Sequence, residues 1–338
     1  MDKQRVVVVC PGRGSYSRDT SGYIKNHTKF LSSDLMFFEE RRRQNNQLGI
    51  LELDSMSFKS KTHMIGENAS PLIYACSLMD FLAINQDKYE VVAVTGNSMG
   101  WYSALAIGGA LSFENGYEVI NTMGSMMKNK IIGGQLIYPL VDKDWKMDKK
   151  LMQKVFDEIL AEGAYISIFL GGYIVVGGQN ESLKRLLKKL PPNENYPFQI
   201  PYHAAFHTSL MKEISESAFK KISKLFFSKP KIPIIDGRGC VWSPFSTNSE
   251  ELYNYTIGTQ VTEMFNFTKS ITTALKEFSP DKLILLGPGN SLGGVTGQII
   301  IENKWNSIET KKSFISKQKK DPFLVSMGIL EQREIVSL

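Results

Sequence analysis

The segment Gly96-Asn97-Ser98-Met99-Gly100 sets a serine between two glycines, each two residues away. An apolar, β-branched run at 91–95 precedes it, and a small-residue helical pattern starts at Trp101. A serine on a strand-to-helix turn exposes its Oγ, and the glycines leave room for the tight backbone. The helix N-terminus then offers N–H groups to a developing oxyanion. This layout suits nucleophilic acyl chemistry, but a serine of ordinary pKa needs a base. Four histidines are available: His27, His63, His203 and His207. His27 and His63 lie in polar, loop-like stretches and are expected at the surface. His203 and His207 share the segment Tyr202-His203-Ala204-Ala205-Phe206-His207-Thr208-Ser209-Leu210-Met211, and spacing alone does not choose between them.

The elements needed to position these groups recur along the chain. Apolar runs at 6–10, 91–95 and 283–286 each meet a glycine-rich turn (Pro11-Gly12-Arg13-Gly14-Ser15, the serine motif, and Gly287-Pro288-Gly289). Continuous apolar strands bounded by glycine and followed by helices predict a parallel sheet buried on both faces. The middle of the chain alternates differently, with strands at 135–141, 165–169, 173–176 and 196–202 and helices at 149–162 and 181–189. That βαββαβ order predicts a ferredoxin-like insert. The expected division is a large α/β unit of 1–128 and 203–338 around a small subdomain of 129–202.

Composition narrows the classes. The 338 residues are 42% hydrophobic and 22% charged, which excludes disorder and coiled coil. Three scattered cysteines (Cys10, Cys76, Cys240) form neither a disulfide framework nor a zinc site, and fit a reducing cytoplasmic setting. No apolar stretch reaches the roughly 18 residues of a membrane span, and residues 1–10 lack a signal-peptide pattern. The net charge of +6 is a mild bias toward acidic or phosphorylated partners. No nucleic-acid module is present. Two basic clusters stand out. Lys184, Arg185, Lys188 and Lys189 read first as a solvated helix face and second as a candidate docking face for an acidic protein, and Lys311, Lys312, Lys317, Lys319 and Lys320 read as a solvated face.

Four motifs in order make the chain similar to the malonyl-CoA:acyl-carrier-protein transacylases and the related acyltransferases of fatty-acid and polyketide synthesis. The family's PGQGS reads here as Pro11-Gly12-Arg13-Gly14-Ser15. Its GHSLGEYSAL and GALSFE read as the segment from Gly96 to Leu105 and as Gly109-Ala110-Leu111-Ser112-Phe113-Glu114. Its FHSPLM reads as Phe206-His207-Thr208-Ser209-Leu210-Met211, and its GPG as Gly287-Pro288-Gly289. The resemblance covers nearly the whole chain and implies a hydrolase-like α/β core with a ferredoxin-like insert. It implies Ser98 as nucleophile, His207 as general base and the main-chain carbonyl of Gln260 as the group orienting that histidine. The oxyanion donors would be the main-chain N–H groups of Met99 and Arg13. His203 matches no catalytic position. The resemblance further implies a coenzyme A thioester as substrate, an acyl carrier protein as partner and no permanently bound cofactor.

The departures fall around the acyl group. The family arginine that clamps the malonyl carboxylate is Met123, and a thioether cannot replace a bidentate guanidinium. The elbow histidine is Asn97, the PGQGS glutamine is Arg13, the glutamate after the elbow is Trp101, and the glutamine of an insert strand is Tyr173. Asn97, Met123, Tyr173 and Phe206 are the expected lining of the acyl pocket. The reading is an acyltransferase from acyl-CoA to acyl carrier protein, with specificity shifted away from malonyl. The alternatives are a thioester hydrolase on the same scaffold and a non-catalytic carrier-protein docking module; the intact Ser98 and His207 oppose the latter.

Overall fold

The computed structural model describes residues 2–27, 33–128 and 131–337. The expected boundary at 128/129 abuts residues 129–130, which lie outside the described residues. Among the described residues, eleven strands run in chain order: β1 Gln4–Cys10, β2 Tyr89–Gly96, β3 Gly134–Pro139, β4 Tyr165–Leu170, β5 Tyr173–Gly178, β6 Phe198–Gln199, β7 Ile234–Ile235, β8 Val241–Trp242, β9 Phe265–Asn266, β10 Lys282–Leu285 and β11 Leu324–Ser326. The helices that matter for the site are α1 Gly66–Ala83, α2 Gly100–Ile107, α3 Phe113–Ser125, α4 Lys149–Ala161, α5 Asn180–Lys189, α6 Phe267–Phe278, α7 Gly293–Glu302 and α8 Lys311–Lys320.

Six strands form one sheet in the order β11-β10-β1-β2-β7-β8. Every pairing in it is parallel except the edge hairpin β7–β8. Val6, Val7, Val8, Val9 and Cys10 are fully buried, which explains why β1 is apolar without alternation: both faces carry helices. The Ser98 turn leaves the C-terminal end of β2, where open parallel sheets of this kind build their sites.

The second sheet has the order β6-β3-β5-β4-β9. Its first four strands are joined through α4 and α5 in the sequence β-α-β-β-α-β, and all their pairings are antiparallel. Alternation separates its faces. Leu136, Tyr138, Ile174 and Val176 pack under the helices in their own small core, while Ile137, Ile168 and Val175 point toward the large unit. Two details differ from the sequence expectation. The strand expected at 196–202 is only Phe198–Gln199, because Pro197 and Pro201 on either side lack an N–H for the ladder. A fifth strand, β9, comes from outside the insert and pairs in parallel with β4 through Ile168 and Phe265.

His63 also departs from the expectation. It is fully buried, its Nε2 lies 2.9 Å from the Leu53 carbonyl and its ring stacks on Phe58. A polar sequence neighbourhood concealed a core histidine. The Gly287-Pro288-Gly289 turn is fastened from beneath: Asp80 accepts from the Gly287 N–H and the Tyr23 hydroxyl, each at 2.7 Å, and forms a buried ion pair with Arg333. Among the described residues, no helix is long and apolar enough to cross a membrane.

Candidate active site

Ser98 sits at the tip of the β2–α2 turn with φ 54°, a left-handed conformation rare for a residue with a side chain. The two motif glycines allow it by close packing. A Cβ on Gly96 would lie 2.2 Å from the Gly100 carbonyl oxygen, and one on Gly100 would lie 2.4 Å from that of Cys10. Neither could carry a side chain without moving the turn. The Asn97 N–H donates to the Cys10 carbonyl at 3.0 Å, locking the turn onto the end of β1.

The Ser98 Oγ is 2.8 Å from Nε2 of His207. On the other side of the ring, Nδ1 is 2.6 Å from the Gln260 carbonyl oxygen. A carbonyl only accepts, so Nδ1 carries the proton and Nε2 is the acceptor for the serine hydroxyl. His207 also has positive φ, at 61°, and its N–H donates to the Val261 carbonyl at 2.9 Å. Burial lowers its pKa to about 4, opposed only by the bond to Gln260, so the imidazole is neutral near pH 7.

Gln260 follows a single π-helical turn, Tyr255–Thr259, and the helix ends at Thr262, so no helical N–H follows to take the Gln260 carbonyl. Its side chain reaches back to the elbow: Nε2 donates to the Ser98 carbonyl at 3.1 Å, and the Tyr102 hydroxyl donates to Oε1 at 2.9 Å. Serine, histidine and glutamine therefore form one connected network. The Met99 and Arg13 N–H groups have no hydrogen-bond partner among the described residues.

Ser98 lies between two cavities. The smaller, about 40 Å³, is walled by Ile120, Met123 and Met127 and closed by Tyr102 and Phe206. The larger, about 230 Å³, runs between the two sheets beside Asn97 and His203, against Ile137, Ile168, Val175 and Leu292. Arg13, Ser98 and Phe206 line both. The Arg13 guanidinium donates through Nη2 to the carbonyls of Met64 and Tyr202, at 2.9 and 2.8 Å. Its Nε is buried without a partner, and so is Oδ1 of Asn97. Burial pulls the Arg13 pKa down to about 10, which still leaves it charged.

Of the expected pocket residues, Met123, Phe206 and Asn97 face these cavities, and Tyr173 does not. Tyr173 shares the inward face of β5 with Val175 but stands at the strand's beginning, two residues and roughly 7 Å away. It lines a separate cleft with Tyr196 and Trp145. Trp101, in place of the family glutamate, is fully buried and donates from Nε1 to Thr256 at 3.1 Å. His203 lines the larger cavity, with Nδ1 3.0 Å from Oε1 of Gln135. Sequence reasoning missed Tyr102, Ile120 and Met127. Helical spacing held the signal, since Tyr102 is four residues after Ser98, while Ile120 and Met127 are three before and four after Met123.

The Ser98–His207–Gln260 arrangement at the end of a parallel strand is one that can support serine-based acyl transfer. The chain is similar to malonyl-CoA:acyl-carrier-protein transacylases. It is 23% identical over 237 residues to the polyketide biosynthesis malonyl CoA-acyl carrier protein transacylase PksC of Bacillus subtilis, covering 68% of this chain and 77% of PksC. It is 25% identical over 207 residues to the polyketide biosynthesis protein ThaF of Burkholderia thailandensis, a match covering 59% of this chain but only 17% of ThaF. The malonyl-CoA:ACP transacylase of Synechocystis sp. PCC 6803 shares the fold, with a TM-score of 0.75 and 15% identity over 98% of this chain and all of that one. No family model matches the chain.

Proposed function

We propose that this protein transfers an acyl group from a coenzyme A thioester to the pantetheine thiol of an acyl carrier protein, with Ser98 as nucleophile and His207 as general base. The continuous hydrogen bonding from Ser98 through His207 to Gln260 carries this reading. The neutral His207 takes the proton of Ser98 as Oγ attacks the thioester carbonyl. The N–H groups of Met99 and Arg13 hold the oxyanion, and its collapse expels the coenzyme A thiolate, which recovers the proton from His207. The carrier thiol then gives its proton to His207 and attacks the acyl-Ser98 ester, and Ser98 is regenerated. Thiols leave readily, so a histidine oriented by a carbonyl rather than a carboxylate suffices.

The acyl end is placed, in this reading, in the smaller cavity against Met123. Its apolar wall and volume of about 40 Å³ favour a short neutral acyl group such as acetyl. An unpaired carboxylate in that space costs several kcal/mol. One observation favours a second reading: Arg13 lines the same cavity, has an unpartnered Nε and makes no ion pair among the described residues. On that basis Arg13 would bind a malonyl carboxylate from the wall opposite Met123. Measuring kcat/KM for acetyl-CoA and malonyl-CoA in the native protein and in Arg13→Gln separates the two. Acetyl preference in the native protein supports the first, and a malonyl preference that collapses in Arg13→Gln establishes the second.

The activity itself is tested with a panel of acyl-CoA donors and a holo carrier protein, following the Ser98 adduct and its fate by intact mass. Passage of the acyl group to the carrier thiol is expected. Release as free acid would instead reveal a hydrolase, and the absence of an adduct from every donor would overturn both.

A further inference from the structure

The two basic helices differ in a way the sequence alone conceals. On α5, Lys184 pairs with Glu181 at 2.9 Å, Arg185 with Glu162, and Lys189 with Glu162 at 2.6 Å and with Glu158 at 3.5 Å. Glu158 lies on α4 and Glu162 just beyond its end, so the neighbouring helix pairs Arg185 and Lys189, Glu181 of α5 itself pairs Lys184, and Lys188 alone of the four makes no ion pair among the described residues. On α8 the sequence Lys-Lys-Ser-Phe-Ile-Ser-Lys-Gln-Lys-Lys contains no carboxylate. Among the described residues, none of its five lysines makes an ion pair, and Asp321 just beyond it is engaged by Lys282. Lys312, Lys317, Lys319 and Lys320 are exposed, and Ile315 among them is 42% exposed.

This uncompensated face adjoins the reaction cleft. Ile315, Gln318 and Lys319 border a groove of about 340 Å³ whose opposite rim is Asn290, Gly293 and Gly294. The intervening residues of that loop, Ser291 and Leu292, line the larger cavity beside Ser98. The loop is thus the wall shared by the α8 groove and the Ser98 cleft. Gly294 has nothing within 4 Å of where a Cβ would stand, so the loop faces open space at this point.

We propose that the exposed surface of α8, with Ile315, Lys312 and Lys319 on its groove-facing side and Lys320 and Lys317 further round the helix, is the docking surface for an acidic carrier protein whose pantetheine arm crosses the 290–294 loop to Ser98. The identity of the partner rests on the proposed function; the location rests on the charge and the shared loop. Charges at an interface rim act mainly on encounter, and their effect fades as salt shortens the Debye length.

The test compares native protein with Lys312→Glu/Lys317→Glu/Lys319→Glu and with Lys184→Glu/Lys188→Glu. Binding of acidic holo acyl carrier proteins is measured directly, beside the KM for the carrier in transfer, at low and at high salt. Self-acylation from acetyl-pantetheine, which lacks the phosphates of coenzyme A, reports the reacting groups alone. The α8 variant should weaken carrier binding and raise the carrier KM about tenfold or more at low salt, with a flatter salt response and unchanged self-acylation. The α5 variant should stay within about twofold of native. Equal binding and equal salt response in the native and α8-reversed proteins would overturn the proposal, as would a larger loss in the α5 variant. Loss of DNA binding in the α8 variant with carrier binding intact would overturn it too. A chain that binds carrier through α8 yet never forms an adduct would contradict the proposed activity and leave the docking surface standing.

Discussion

The groups around the Ser98 hydroxyl and the wall proposed to receive the acyl group are neighbours built on opposite terms. In the first, Ser98, His207, Gln260 and Tyr102 form a closed hydrogen-bonded set, with two residues held at positive φ. In the second, Arg13 and Asn97 keep buried polar atoms without partners, and Met123 presents an apolar surface. Ser98, His207 and Tyr102 of the closed set match the transacylase motifs, whereas Arg13, Asn97 and Met123 on the open wall depart from them. A buried polar atom left unpaired costs roughly 1–3 kcal/mol, so a substrate that supplied a partner to Arg13 or Asn97 beside Ser98 would gain from it. Chemistry and selectivity can therefore be altered separately.

The comparison breaks most sharply at His207. His207→Ala should slow Ser98 acylation by about 10²–10⁴-fold, as expected for loss of a general base. His203→Ala, on the larger cavity, should lower it far less. Pre-steady-state acylation rates check both, and a larger loss at His203 would reverse the two roles.

Replacing the wall should move selectivity and leave the machinery running. Met123→Arg puts a guanidinium into the cavity beside Ser98 and should shift the malonyl-to-acetyl ratio of kcat/KM toward malonyl by about tenfold or more, since a paired carboxylate no longer carries its desolvation penalty. Competition between the two donors reads this directly. An unchanged ratio with normal acetyl turnover would mean that the acyl end does not rest on Met123.

How far this contrast could be read in advance depended on the kind of residue. The elbow glycines were legible because close backbone approach admits nothing larger, and the β1 and β2 runs because a strand buried on both faces is apolar throughout. The role of Gln260 came only through resemblance, since a main-chain carbonyl has no side-chain signature. Tyr173 failed because alternation fixes the face of a strand but not how far along it the cleft extends. His63 failed because its partners are main-chain carbonyls that any sequence supplies. The neutralised α5 and bare α8 look alike as strings of lysine, and only the packing of α4 beside α5 separates them.

Smaller effects sharpen the closed side of the comparison. Tyr102→Phe removes the donor to Gln260 Oε1 while keeping the ring, leaving a buried acceptor unpaired. Stability should fall by about 1 kcal/mol, and any loss of transition-state positioning of that size would read as roughly a fivefold fall in kcat/KM. A Ser98→Ala background should show the same loss of stability.

The pH dependence of stability follows from the two buried imidazoles. His207 is lowered to about 4 by burial, and His203 is lowered well below its ordinary value by burial, by Arg13 and by His207. Both are neutral when folded and take up protons more readily when unfolded, so stability is full above about pH 6.5 and falls as pH drops toward 4. For His207 alone the difference is on the order of 3 kcal/mol. Denaturant midpoints at pH 7 and pH 5 should show the fall, and His207→Asn should reduce it.

The most direct measurement is the intact mass of the native protein and of Ser98→Ala after brief exposure to acetyl-CoA and malonyl-CoA, with the modified peptide located by fragmentation. The account predicts a single acyl addition on Ser98 in the native protein, none in Ser98→Ala, and loss of the adduct when carrier thiol is added. An adduct on another residue, or one that persists in Ser98→Ala, would contradict it.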